Sequence, residues 1–238
     1  MKVQVVRLVT PPLLLLVVIG MLWELATRLF AVPEWLLPAP SVIWGEFSSS
    51  LPQLVPHTMR TLVEVGLGYG IALVAAFVMA GMLEQSMVVR RALHPLLVTS
   101  QAIPIFALAP LLAIWFGFGI LPKILIVALV CFFPIAISLA GGFRVADPDM
   151  VALLRSMGAD DRQVFFKVKW PSAIPSLLSG MKIAASYSVI AAVIAEWIGA
   201  SQGLGLYMLR ASNSFQTARV FSAIGVVAVL SIVLFLSV

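Results

Sequence analysis

The stretch 147-DPDMVALLRSMGADDRQVFFKVKWPSAIP-175 decides how this chain is built. It is the one long segment that reads as a water-facing surface, and apolar runs flank it on both sides. Asp147 stands where an N-cap would, with Pro148 at the first helical position, where a missing N–H leaves nothing unsatisfied. Gly158 is placed to close that helix in a left-handed C-terminal cap. Asp160 and Gln163 spell a capping box for a second helix, with Val164, Phe165 and Val168 as its apolar members. Trp170-Pro171 is expected to stop that helix, and Pro175 to start the next apolar run. Two short capped helices between membrane runs make a helix-turn-helix of the kind that docks a partner.

Outside this stretch the chain is strongly apolar. Of 238 residues, 62% are hydrophobic and 11% charged, with a mean hydropathy of +1.11. A soluble domain averages about a quarter charged residues, so the expectation is an all-α, polytopic membrane protein. The net charge of +5 is spread between the apolar runs rather than gathered on a face. The positive-inside rule accounts for it, and a nucleic-acid partner is not expected. Cys131 is the single cysteine and reads as packing. His57 and His94 are isolated and fall on opposite sides of the membrane, so no metal site is expected, and no catalytic cluster is visible.

Spanning a bilayer takes about 20 apolar residues. That rule gives six segments, roughly Pro11–Phe30, Thr61–Leu83, Ala92–Gly117, Leu121–Phe143, Ser176–Gly199 and Ala218–Val238. Lys2 and Arg7 before Pro11–Met21 imitate a signal peptide, but the following Trp23, Glu24, Leu25 and Ala26 offer no small-x-small cleavage site, so an uncleaved first helix is expected. With the N-terminus inside, ten of the fifteen basic residues fall on the cytoplasmic side. The 147–175 segment then lies in the cytoplasm. The chain divides into residues 1–60, a first helix with an outer loop, and 61–238, a core that carries the cytoplasmic loop. Within the outer loop Ile43, Phe47 and Leu51 recur every four residues, suggesting a short amphipathic helix in the interface beside Trp35 and Trp44.

Small residues mark two further faces. Gly66 and Gly70 form a G-x-x-x-G pair, and Gly180, Ala184, Ser188, Ala191, Ala195 and Gly199 form a stripe about 100° wide on the fifth segment. The stripe suits helix packing, and also a pore-lining or dimer face. Pro104 and Pro110 interrupt the third segment, which has Pro95 at its start and contains Gln101, as in helices broken beside a solute path. Candidates for that path are Gln101, Tyr187, Ser188, Ala191 and Glu196. Among intramembrane ionisable residues, Glu24 and Arg28 are spaced to pair, Glu64 lies near the outer interface where it can reach water, and Lys182 can reach the inner headgroups. No G-x-x-x-x-G-K-[ST] loop exists, so energised transport needs a partner ATPase or an ion gradient.

With those pieces assembled, the chain resembles the permease subunits of type I ABC importers, in the branch that carries sulfonates, taurine, nitrate and pyrimidines. That family's cytoplasmic motif, E-A-A-x3-G-x9-I-x-L-P, places its glycine on Gly158, its isoleucine on Val168 and its proline on Pro171. Its E-A-A falls on Ala152, Leu153 and Leu154, and its leucine on Trp170, so the acidic residue that heads the motif is missing. The stretches Leu108–Ser138 and Ser186–Met208 look like the same branch, and the resemblance runs from Thr61 to Val238. KIAASYSVIAAVIAEWIGASQGLG looks most like permeases for hydroxymethylpyrimidine-type thiamine precursors.

The resemblance implies an inner-membrane permease working by alternating access. It would pair with a second permease copy, a homodimer being usual, and would sit among membrane lipids. ATP-binding cassette subunits would hold the ATP and magnesium, and a periplasmic or lipid-anchored solute receptor would deliver the solute. Coupling would run through Ala152, Leu153, Leu154, Gly158, Ala159, Asp160, Val164, Phe165 and Pro171. Other solutes of the branch, among them sulfonates, taurine, nitrate and riboflavin-like molecules, are the alternatives. A gradient-driven transporter or channel using Glu64 and Glu196 as relays is a more distant one, and it leaves the capped loop unexplained.

Overall fold

The computed structural model describes residues 2–100 and 102–238, and no strand occurs among them. The helices, in order, are α1 (Lys2–Leu29), α2 (Pro40–Gln85), α3 (Met87–Ser100), α4 (Ile105–Phe116), α5 (Leu121–Gly142), α6 (Pro148–Ser156), α7 (Asp161–Val164), a π-helical turn (Phe165–Lys169), α8 (Trp170–Glu196), α9 (Leu204–Asn213) and α10 (Thr217–Ser237). Among the described residues four runs are long and apolar enough to cross a membrane: Pro40–Gln85, Leu121–Gly142, Asp161–Glu196 and Thr217–Ser237.

Three expectations need correction. The outer amphipathic helix is not separate: Ile43, Phe47 and Leu51 lie in the first turns of α2, which passes through Pro52 and Pro56 without ending. The third expected span is two helices, parted by residues 102–104 ahead of α4. At 1.5 Å per residue α3 and α4 measure only about 21 and 18 Å, against a hydrocarbon core of about 30 Å. Pro104 is the breaking residue, whereas Pro95 and Pro110 are carried inside their helices. Finally, Trp170-Pro171 does not stop the segment before it. The chain stays helical from Asp161 to Glu196, with Pro175 inside α8. A proline in a helix lacks an N–H and collides with the carbonyl four residues back. Here that carbonyl belongs to Lys167, inside the π turn, where the wider winding makes room: the Trp170 N–H already bonds five residues back, to Phe165 O.

The structure comprises two compact units. The first holds Met1–Pro56 and Tyr207–Val226. In it the expected Glu24–Arg28 pair forms at 2.6 Å, and Glu24 also accepts from the backbone N–H and hydroxyl of Ser41. Arg219 Nε donates to Glu46 at 2.8 Å, Ser222 Oγ donates to Ile43 O, and Trp23 meets Phe221 edge to face.

The second unit holds His57–Leu206 and Val227–Val238. Its core is the contact of α2, α5 and α8. In a bilayer, apolar area alone does not drive helices together, so close approach of small residues must do so. On α2 the packing face is Gly68, Ala72, Ala76 and Ala80, one residue every four; the three alanines are fully buried, and a Cβ on Gly68 would lie 2.6 Å from Val127 Cβ. Gly66 and Gly70, the pair that reads as a packing motif, have nothing within 4 Å. On α8 Gly180 abuts Pro134 O and Ser138 of α5, and Ala184, Ser188, Ala191 and Ala195 are buried above it. The stripe is a packing face within this chain, apart from Gly199, which is exposed. Tyr69 Oη reaches across to Met181 O at 3.0 Å.

Candidate functional site

The 147–175 segment forms its caps as its letters require. Asp147 accepts from Asp149 N at 2.9 Å. At the other end of α6, Gly158 takes φ +85°. The Ala159 N–H bonds to Leu154 O and the Gly158 N–H to Arg155 O, which is a Schellman closure. Gln163 N donates to Asp160 Oδ1 at 2.7 Å while Asp160 N donates to Gln163 Oε1 at 3.1 Å, completing the capping box. Arg155 spans the turn to Asp161 at 2.8 Å.

These caps hold α6 in an unusual position: none of its residues is buried. Met150 is 51% exposed, Leu153 56% and Met157 74%. Spaced i, i+3 and i+7, these three share one face of the helix; Ala152, Gly158, Asp160 and Pro171 are exposed as well. Leu154 and Ala159 are partly covered. Val164 is buried, and Phe165 packs on Phe143 of α5 at 5.3 Å between ring centroids. So the segment splits into anchors, Val164, Phe165 and Val168, and an uncovered apolar row. Sequence reasoning found Leu153 but not Met150 or Met157, whose i, i+3, i+7 spacing was the available signal. It also missed Glu84. This carboxylate at the end of α2 holds Lys169 at 2.5 Å and Arg90 at 2.6 Å, tying the π turn and α3 to one point.

The far end of α8 carries a second polar cluster. Glu196 is fully buried. Its carboxylate accepts from Thr61 Oγ1 at 2.6 Å and from Gly205 N at 2.5 Å. Thr61 Oγ1 in turn accepts from Leu204 N, and Gly203 N donates to His57 Nδ1 at 2.9 Å. Gly203 has φ +133°, and a Cβ there would fall inside the Glu196 carboxyl group. Lys123, 2% exposed, donates to the carbonyls of Phe118, Gly119 and Gly199. Glu64 does not reach water as its position suggests: it is 1% exposed and pairs with Arg60 at 3.2 Å. The arrangement fastens the 197–203 loop to α2 and α5.

Of the solute-path candidates among the described residues, Tyr187 alone borders open space. It is 54% exposed and stands on the wall of a cavity of about 620 Å³ beside the α3–α4 break. Ser188 and Ala191 are buried in the packing face, Ser188 donating to Ala185 O. Glu196 is not part of that wall, and Gln101 lies outside the described residues. Lys182 holds its ammonium 5.6 Å over the Phe235 ring. Among the described residues no group of three or more His, Cys, Asp or Glu side chains could hold a metal.

Apolar helices long enough to span a bilayer, small-residue packing and an uncovered, doubly capped helix describe a helical membrane protein. Residues 68–238 match the family described as the inner membrane component of binding-protein-dependent transport systems, and the chain belongs to it. Membership implies a separate ATPase and a solute-binding protein as partners, and an inner-membrane location. Over its whole length the chain is 33% identical to a probable ABC transporter permease protein of Haemophilus influenzae, covering 96% of that protein. It is also 33% identical to the formylaminopyrimidine transport permease protein ThiX of Halalkalibacterium halodurans, over 93% of this chain and 88% of that one. The taurine transport system permease protein TauC of Escherichia coli is 29% identical, over 92% and 82%. A crystal structure of an amino acid ABC transporter with histidines shares the fold, with a TM-score of 0.63, 18% identity, and coverage of 80% of this chain and 91% of that one.

Proposed function

We propose that this chain is the pathway-forming subunit of an ATP-driven importer for a small, ring-shaped solute of the pyrimidine class, with its N-terminus and α6 on the cytoplasmic side. The observation that supports it best is α6: a helix capped at both ends, with no buried residue, presenting Met150, Leu153 and Met157. A helix only partly covered by its own chain, at Val151 and Leu154, is well suited to another protein's groove. The row is adaptable, methionine-rich and apolar, which suits a groove on an ATPase when the motif's usual acid is replaced by Ala152. Val164, Phe165 and the Glu84 clamp then carry a push on α6 into α8. Two copies of the chain would enclose the pathway, the ATPase would hold ATP and magnesium, and a receptor would deliver solute from outside. The pyrimidine assignment rests on the likeness to the formylaminopyrimidine permease; the taurine relative supports a sulfonate as the second reading.

The test is reconstitution of the chain with its co-encoded ATPase and receptor in proteoliposomes. ATP-dependent uptake of labelled formylaminopyrimidine, absent when the ATPase is omitted, is the expected result. Uptake by the chain alone under a proton gradient would overturn the importer reading, and ATP-dependent uptake of taurine alone would replace the solute.

A further inference from the structure

The cavity beside the α3–α4 break is lined chiefly by side chains of α5 and α8 and by the broken stretch itself. Its volume of about 620 Å³ falls within the range of small-molecule sites. Phe133 on α5 and Tyr187 on α8 bring aromatic surface to its wall, with Leu129, Ile183 and Pro104 around them. Ser100 and Tyr187 bring hydroxyls. No charged side chain is among the described lining residues. The cation next in sequence, Lys182, is occupied by the Phe235 ring.

That chemistry discriminates between solutes. A sulfonate carries a permanent charge and must shed water to enter, and an apolar wall without a cation offers nothing in return. A flat, uncharged heteroaromatic ring loses little water, stacks on aromatic faces, can exchange a hydrogen bond with the Tyr187 hydroxyl, and can donate to Ser100 Oγ, whose own proton goes to Leu97 O. Resting on the importer reading above, we propose that this cavity is a solute site belonging to the permease itself, selecting uncharged heteroaromatic rings over sulfonates, with Tyr187 as its stacking platform. Specificity then does not reside in the receptor alone.

A thiol-protection experiment tests this, because the single native cysteine, Cys131, is fully buried. In the complete importer, assembled in nanodiscs, Ile183→Cys places a reactive thiol on the cavity wall, and Ser214→Cys, exposed between α9 and α10, provides a control away from it. Millimolar formylaminopyrimidine should slow methanethiosulfonate labelling of Ile183→Cys roughly fivefold or more, leave Ser214→Cys unchanged, and find no counterpart with taurine. Adding Tyr187→Ala should abolish the protection, whereas Tyr187→Phe should retain it. Absence of protection, or equal protection by taurine, would overturn the site. ATP-dependent uptake is measured on the same preparation: uptake without protection removes the site and leaves the importer, while protection without uptake does the reverse.

Discussion

At the far end of α8 the two oxygens of Glu196 accept from Thr61 and from the Gly205 amide, and the Thr61 hydroxyl has a second acceptor at hand in His57 O, 3.1 Å away. Glu196→Gln should therefore be mild: its amide donates to Thr61, whose proton turns to His57 O. Glu196→Ala leaves Thr61 its bond to His57 O but strands the Gly205 N–H, and should cost about 1–3 kcal/mol. Thermal unfolding of the purified chain separates the two, and loss of uptake in Glu196→Gln with an unchanged melting temperature would instead give the charge itself a role. Gly203→Ala, strained in φ and driven into that carboxyl, should be at least as damaging as Glu196→Ala. The glycines of α2 make a sharper comparison. Gly68→Ala should destabilise by about 1–3 kcal/mol through overpacking on Val127, and Gly66→Ala should be neutral or slightly stabilising through helix propensity. Spacing alone pointed to the wrong pair, because G-x-x-x-G says only that two glycines share a face, not which face meets a neighbour.

At the scale of elements, the caps of α6 and α7 were fully legible because a cap is a local contract among four or five residues. Asp147, Gly158, Asp160 and Gln163 all do what their identities require. What lay beyond reach was continuity. Whether Pro171 ends a helix depends on the winding of the turn before it, and no residue type announces a π turn. For the same reason the continuation of α2 through Pro52 and Pro56 was hidden, while the break at Pro104 was visible. Gly158→Val places a β-branched residue at φ +85° and should cost about 1–3 kcal/mol locally. The expected result is lost co-purification of the ATPase from membranes in which the chain is still inserted. Met150→Glu with Leu153→Glu should do the same without touching a cap; normal co-purification and uptake in that double variant would deny α6 its partner.

For the whole molecule, composition and long unbroken apolar runs were enough to foresee a helical membrane protein, since the other spanning structure, a closed barrel, alternates polar and apolar residues. The placing of individual spans was less secure, as the division of residues 87–116 into α3 and α4 shows. Orientation rests on the distribution of Lys and Arg and has a direct check. In Met157→Cys, an impermeant thiol reagent should label inverted membrane vesicles and spare right-side-out ones. The reverse pattern would turn the protein over and remove α6 from the ATPase's side.

The π turn at Phe165–Lys169 has one more consequence, and it concerns rotational phase. A π turn amounts to one residue inserted into an α-helix, and each residue in a helix advances it by about 100° and 1.5 Å. The turn thus sets the angle at which α7 leaves α8, and with it the compass bearing of Met150, Leu153 and Met157. Deleting one residue between 165 and 169 should restore regular winding, leave the spanning part of α8 intact, and swing the Met150, Leu153 and Met157 row about a quarter-turn from its mark. With that row docked as proposed above, a single codon far from any solute takes the transporter out of gear.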